Sequence, residues 1–372
     1  MVTEKESAPN IKKVRLEELR TDMILARDII NEWGGILLPK GTLLNHVNFS
    51  RLFSNGVRVA YIREASIDAD HPSLLELYEE NKSIVVPTVT QASFIDFEKA
   101  HKERTQEIRK NLIAISNGEP INLEDLFKLT DGVMSKLKCK SDIFAYLGFL
   151  KATDEHTFSH SNNVSLLCNL FGVWMGLDQK DLMHLTTAGI LHDLGKTKLD
   201  LSILNNTGKL TASEFALIKQ HTVLGYRMME SQDIAPEVKL SALMHHEKID
   251  GSGYPLGIGG ARINDLAKIV SICDIYDAMT TNRIYREKLC PFDVIKKFEQ
   301  QSFGVLDTKY LLTFLKNIAY THVGSWVELN NGLVAEVVFV NQASLSRPIV
   351  KTRYGEIIDL SANRALNIVR VI

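Results

Sequence analysis

The apolar residues of this chain change their rhythm along its length. From Ile11 to about Ile62 they come in short runs, broken by Gly34-Gly35, Pro39, Gly41 and Gly56. The run Gly35-Ile-Leu-Leu-Pro-Lys-Gly-Thr-Leu-Leu predicts two strands joined by a turn, and Val57-Arg-Val-Ala-Tyr-Ile predicts another. Between Gln91 and Asn117 the spacing lengthens: Phe94, Phe97, Ile108, Leu112 and Ile115 recur near helical intervals, and Asn117-Gly118 closes the segment. A second helix is expected over Pro120 to Lys138, and helical periodicity dominates from Asp142 to about Tyr320. The last stretch reverts to strand-like runs on both sides of Asn331-Gly332, a strong hairpin signal. These shifts divide the chain into a loose tail (1–10), a small β-rich module (11–66), a linker with connecting helices (67–140), a helical domain (141–320) and a C-terminal β-rich extension (321–372). Apolar hairpins need a surface to pack against, so the extension is read as a cap on the helical domain.

Composition narrows the classes. Of 372 residues 45% are hydrophobic and 24% charged, which is enough apolar material for a core and excludes a disordered or collagen-like chain. The 43 basic and 45 acidic residues leave a formal charge of -2, so nothing global attracts a nucleic-acid polymer, and any anion site must be local. Cys139, Cys168, Cys273 and Cys290 form no CxxC pair, which favours reduced thiols over a disulfide framework. The charged start, Met1-Val-Thr-Glu-Lys-Glu-Ser, lacks the apolar stretch of a secretory signal. The most apolar window, Val164 to Leu177, falls short of the ~20 residues a transmembrane helix needs. A cytoplasmic protein with no transmembrane segment is expected.

The chemistry lies in the histidines. Seven of the eleven fall between His156 and His246, accompanied by the dyad His192-Asp193, the pair His245-His246 and, further on, Asp274. A lone helical histidine is usually structural. Imidazoles and carboxylates converging from several helices instead make a site for transition metals. Neighbouring helical residues point ~100° apart, so the dyad can serve two adjacent ions, and His245-His246 can do the same from the opposite side. Two such ions would clamp a phosphodiester, activate a water and stabilise the leaving oxygen. Behind the pair, His246-Glu-Lys-Ile-Asp-Gly-Ser-Gly-Tyr-Pro255 reads as a tight ordered loop beside the ligands. Asp274 and Asp277 share a helix face, and Arg283 and Arg286 repeat that spacing where they could hold two phosphates.

His192-Asp193-Leu-Gly-Lys196 together with the Gly253-Tyr254-Pro255 loop resembles the HD-GYP family of cyclic dinucleotide phosphodiesterases, a branch of the HD metal-hydrolase superfamily. The resemblance covers about Asp142 to Tyr320. It implies a mainly α protein, an HD-type helical bundle flanked by the β-rich N-terminal module and the C-terminal hairpin region. It further implies two or three divalent metals, often iron or manganese. The implied reaction is hydrolysis of cyclic di-GMP to pGpG and sometimes on to GMP by metal-activated hydroxide. The ligands it implies are His160, His192, Asp193, His221, His245, His246 and Asp274, with Asp193 bridging. It assigns Lys196 to a phosphate beside the scissile bond, Asp277 to guanine, Arg283 and Arg286 to phosphate, and Gly253, Tyr254 and Pro255 to the substrate side. Asp193 and Lys196 are the expected catalytic residues.

Members with a third metal resemble one another in a glutamate one turn before the first histidine ligand. Here that position is His156, preceded by Glu155; His156 can face the same ion as His160, or be a plain helix-start residue. His184 matches no ligand position and is read as structural, and His46, His71, His101 and His322 as surface residues. Two alternatives accompany the enzyme reading: a nucleotide-sensing or cyclase-docking module, and a phosphodiesterase for cyclic GMP-AMP. The flanking regions could receive a signal or pair two copies of the chain, and a diguanylate cyclase is the partner the family suggests.

Overall fold

The protein is described by a computed structural model covering residues 11–20, 23–30, 36–42, 44, 52, 57–63, 91–134, 137, 142–150, 156–204, 208, 211–280 and 289–372. Two compact units emerge: residues 95–318 form one, and residues 1–94 with 319–372 form the other.

The second of these joins the two ends of the chain. Strands β1 (Ile11–Arg15), β2 (Ile29–Ile30), β3 (Ile36–Leu38) and β4 (Val59–Arg63) make two antiparallel pairs, β1 with β4 and β2 with β3. Among the described residues of 35–44, β3 is not paired with a following strand as the hairpin reading expected. β3 pairs backwards with β2, and the turn after it bonds to an earlier segment through Gly41 N to Leu25 O and Leu44 N to Met23 O. The C-terminal sheet comprises β5 (Trp326–Leu329), β6 (Val334–Phe339), β7 (Ile349–Thr352), β8 (Ile357–Asp359) and β9 (Ile368–Val371), ordered β8-β7-β6-β5-β9. The hairpin at Asn331-Gly332 is present between β5 and β6, with Gly332 at φ 81°, where a side chain would be strained. Trp326 is buried with Val14, Leu25, Leu38 and Ile62, so the C-terminal sheet completes the core of the N-terminal strands.

The helical unit opens with α1 (Gln91–Ser116), ended by Gly118 at φ 100° as its Asn-Gly signal predicts. α2 (Leu123–Met134), α3 (Ile143–Phe149), α4 (His156–Trp174) and α5 (Gln179–Leu191) follow. Next come the short α6 (Leu201–Leu204), then α7 (Ala212–Lys219), α8 (His221–Glu230) and α9 (Pro236–Met244). The unit ends with α10 (Asp265–Thr280), α11 (Pro291–Gln301) and most of α12 (Thr308–Thr321). Local chemistry sets several starts. Asp178 caps α5 by accepting from Asp181 N, Thr211 and Glu214 form a reciprocal box at α7, and Pro236 and Pro291 begin α9 and α11. The aromatic core runs through Phe171, Trp174, Tyr276 and Phe314, with Phe171 and Phe314 5.0 Å apart.

The contact between α4 and α5 positions the site. A β-carbon at Gly189 would lie 2.9 Å from Ser165 Cα, so glycine lets the two backbones approach closely, as the small pair Ala188-Gly189 foretells. From Ile95 onward α1 belongs to this unit. His101, Arg104 and Thr105 are buried on it, which corrects the reading of His101 as a surface residue: burial holds its imidazole down at about 4. Among the described residues, Cys168, Cys273 and Cys290 form no disulfide.

Candidate metal centre

The histidines and aspartates do converge. α5 ends in a turn that presents His192 and Asp193, α4 supplies His160, α8 begins with His221, α9 terminates in His245-His246, and α10 carries Asp274. Asp193 lies at the middle, 1% exposed. Its Oδ2 is 3.3 Å from His192 Nε2 and 3.8 Å from His160 Nε2, while Oδ1 is 3.3 Å from His221 Nε2 and 3.9 Å from His245 Nε2. Two subsites result. His160, His192 and Asp274 form one triad of donors and His221, His245 and His246 another, and Asp193 turns Oδ2 to His160 and His192 and Oδ1 to His221 and His245.

The backbone fixes which ring nitrogen faces inward. His192 Nδ1 donates to Gly189 O at 2.9 Å, His221 Nδ1 to Ile218 O at 2.6 Å and His245 Nδ1 to Ala242 O at 3.0 Å. Each therefore keeps a bare Nε2 lone pair toward the centre, the form a metal requires. His160 Nδ1 faces Asp277 Oδ2 at 2.7 Å, leaving its Nε2 3.0 Å from Asp274 Oδ1. Burial depresses His221, His245 and His246, with His246 held at about 4 despite Asp274 nearby. On the other half, burial opposes charge on His160, yet its hydrogen bonds to Asp274 and Asp277 raise it to about 10. Burial likewise raises the Asp193 carboxyl, but His192, Lys196 and His221 together hold it well below the ordinary range.

This donor set fits divalent ions. His192 Nε2 and Asp193 Oδ1 are buried with no hydrogen-bond partner, and an orphaned buried polar atom costs about 1–3 kcal/mol. A cation at each subsite would give both atoms a partner, take the place of the proton that His160 shares with Asp274, and stand between the His221 and His245 nitrogens that face one another at 3.3 Å. Imidazole with carboxylate suits first-row transition metals.

Glycines let the elements close around this centre. A β-carbon at Gly195 would lie 1.9 Å from His221 O and 2.6 Å from Gly225 N, so the turn after Asp193 sits on the start of α8. At Gly253 it would lie 2.4 Å from Glu247 Cα, so the loop folds back on the residue after the histidine pair. Tyr254 stacks on His246 with centroids 4.7 Å apart, and Lys219 Nζ stands over the rings of both Tyr254 and Phe215. Pro255 follows through a cis peptide bond. Lys196 reaches back to Asp193 Oδ2 at 2.6 Å.

Two residues take roles that sequence reasoning did not give them. Glu247 is 3% exposed, and its Oε1 and Oε2 accept from the amides of Leu256, Gly257 and Ile258. It thereby holds the far side of the Gly253-Tyr254-Pro255 loop. The only signal was its place, a carboxylate between a double histidine and a glycine-rich turn. Glu247→Gln replaces one acceptor oxygen with an NH2 group that faces a backbone donor. It is expected to cost about 1–3 kcal/mol in thermal unfolding, with the loop more readily cut in limited proteolysis.

Asp277, expected at guanine, is 2% exposed and bonded to His160 Nδ1 and Asn163 Nδ2. It faces the outer ring nitrogen of His160, where a carboxylate fixes ring orientation and tautomer. His184 lies apart from the centre, its Nδ1 2.9 Å from Glu237. The side chain of His156, which opens α4, and both Arg283 and Arg286 lie outside the described residues, as do His46 and His71.

Residues 148–307, within the helical unit, match the family described as HD domain. A cyclic di-GMP phosphodiesterase of Pseudomonas aeruginosa is 32% identical over 239 residues, which are 64% of this chain and 58% of that protein. A 3′3′-cGAMP-specific phosphodiesterase of Vibrio cholerae is 33% identical over 170 residues, 45% of this chain and 39% of its own. A cyclic di-GMP phosphodiesterase of Thermotoga maritima is 33% identical over 166 residues, covering 44% of this chain and 45% of the relative. In each case the match spans less than two thirds of the relative. Among the described residues, no helix is long and apolar enough to cross a membrane.

Proposed function

We propose that this chain is a metal-dependent phosphodiesterase that opens cyclic di-GMP to pGpG, with GMP as the product of a second cut. The observation that carries the reading is Asp193, which turns one oxygen to each of two histidine-rich subsites. Two divalent ions held there, of the iron or manganese kind that the resemblance implies, would supply Lewis acidity and lower the pKa of a water. A third ion would need His156. The protein's own part is to position and neutralise. Lys196, 23% exposed beside Asp193, can extend an ammonium to a phosphate oxygen. Tyr254 and the exposed Phe215, with Lys219 over both, offer flat apolar faces and a cation to a purine nucleotide. Arg283 and Arg286 are assigned to the phosphates on the strength of the motif they continue. Gly253 and Pro255 shape the loop that carries Tyr254.

A second reading, hydrolysis of 3′3′-cGAMP, draws support from the Vibrio cholerae relative, whose 33% identity equals that of the Thermotoga maritima cyclic di-GMP enzyme. Anaerobically metal-loaded protein given each nucleotide separately is expected to form pGpG from cyclic di-GMP at the higher rate, read by chromatography of products. Preference for 3′3′-cGAMP would move the assignment to the second reading. Tight binding of either nucleotide without any product would favour a sensing or docking module.

A further inference from the structure

His101 lies on α1, outside the matched residues 148–307, yet it is tied to a metal ligand through an unbroken chain of hydrogen bonds. His101 Nε2 is 2.7 Å from Asn163 Oδ1, Asn163 Nδ2 is 2.9 Å from Asp277 Oδ1, and Asp277 Oδ2 is 2.7 Å from His160 Nδ1. The far nitrogen of His160 faces Asp274 and Asp193. Every member is buried, His101 to 5%, Asn163 to 3% and Asp277 to 2%.

The polarity of this chain is determined. Asp277 next to His160 accepts, so Asn163 must turn its NH2 toward it; the flipped amide would set an oxygen against a carboxylate. Asn163 Oδ1 is then left to accept, and His101 must donate from Nε2. A carboxylate held by two donors cannot swing away from the imidazole it orients. The anchorage of α1 is itself firm. Asn162 Nδ2 donates to His101 O at 3.0 Å and to Thr105 Oγ1 at 2.7 Å, and Arg104 Nη2 donates to Asn162 O at 2.9 Å and to Ser165 Oγ. Phe97, one turn before His101, stacks on Tyr146 with centroids 4.6 Å apart.

We propose that His101 is a positioning residue for the subsite formed by His160, His192 and Asp274: it fixes Asn163, which fixes Asp277, which fixes the metal-binding face of His160. The helix that joins the β-rich segment to the HD domain is on this account part of the metal centre. The inference rests on the two-subsite reading but not on the substrate.

The test is titration of the metal-stripped full chain with Mn(II), following free ion by electron paramagnetic resonance. His101→Phe keeps the ring volume and removes the donor, while His101→Gln keeps a donor on a flexible stem. His246→Ala marks which binding step belongs to the other subsite. His101→Phe is expected to weaken one step about tenfold, the size of effect found when an outer-shell partner is lost. The step that His246→Ala weakens should stay unchanged, and His101→Gln should recover most of the loss. The proposal is overturned if His101→Phe leaves both steps unchanged or weakens both equally, or if His101→Gln binds as poorly as His101→Phe with the same melting temperature. Because no nucleotide is added, a failure to hydrolyse cyclic dinucleotides leaves this outcome readable.

Discussion

Asp193→Ala is expected to lower kcat for cyclic di-GMP by at least about a thousandfold, a loss of about 4 kcal/mol in transition-state stabilisation, and to reduce bound metal at both subsites together. The double effect follows from position. Asp193 Oδ2 lies 3.3 Å from His192 and its Oδ1 3.3 Å from His221, one donor of each triad, whereas Asp274, 3.0 Å from His160, approaches His246 only to 4.0 Å. Loss of His246 alone should spare the half formed by His160, His192 and Asp274, whereas loss of Asp193 removes the group both halves share. Asp193→Asn keeps the shape but not the charge, and with imidazoles on each side it is expected to retain at most weak binding of one ion. Steady-state turnover with elemental analysis of the same sample checks both parts. Near-normal turnover in Asp193→Ala would contradict the mechanism, and loss from one subsite alone would contradict the bridging role.

The second large effect is steric. Gly195→Ala would place a methyl group 1.9 Å from the His221 carbonyl oxygen, in contact with backbone rather than a yielding side chain. Either the turn after Asp193 or the start of α8 must move, and each carries metal ligands. The expected cost is about 3 kcal/mol or more, seen as a melting temperature lower by roughly 5–10 °C, with weaker metal binding in the fraction that remains folded. Gly176→Ala is the control. That position has open space around a β-carbon and lies away from the ligands, although its φ of 70° adds some backbone strain of its own. A melting temperature in Gly195→Ala no lower than in this control would show that the close approach is not required.

Much of the site was legible because its chemistry is written in adjacent residues. His192-Asp193 and His245-His246 announce themselves as pairs, and helical geometry makes each pair face two ways. The groups that hold those residues in place were harder to read. Glu247 acts on amides nine to eleven positions later, and its purpose is visible only once the loop has closed over it. His101 looked like any polar residue on a charged helix; burial came from α4, whose approach the period of α1 does not encode. Asp277 was placed on the helix that carries Asp274, but spacing alone does not announce its hydrogen bonds to His160 and Asn163. At the chain ends, local signals predicted the hairpin at Asn331-Gly332, where the turn determines the pairing. They misread Gly35 to Leu44, where the partners of the apolar residues lie earlier in the chain. The shared burial of Trp326 with Val14 is a contact between opposite termini, which no window along the sequence contains.

Anomalous diffraction at the absorption edge of the loaded metal addresses the centre itself. Two peaks about 3.5–4 Å apart are expected, one among His160, His192 and Asp274 and the other among His221, His245 and His246, each within bonding distance of a different oxygen of Asp193. A single peak, or two that do not have Asp193 between them, would contradict the assignment of this fold to a bridged pair of ions.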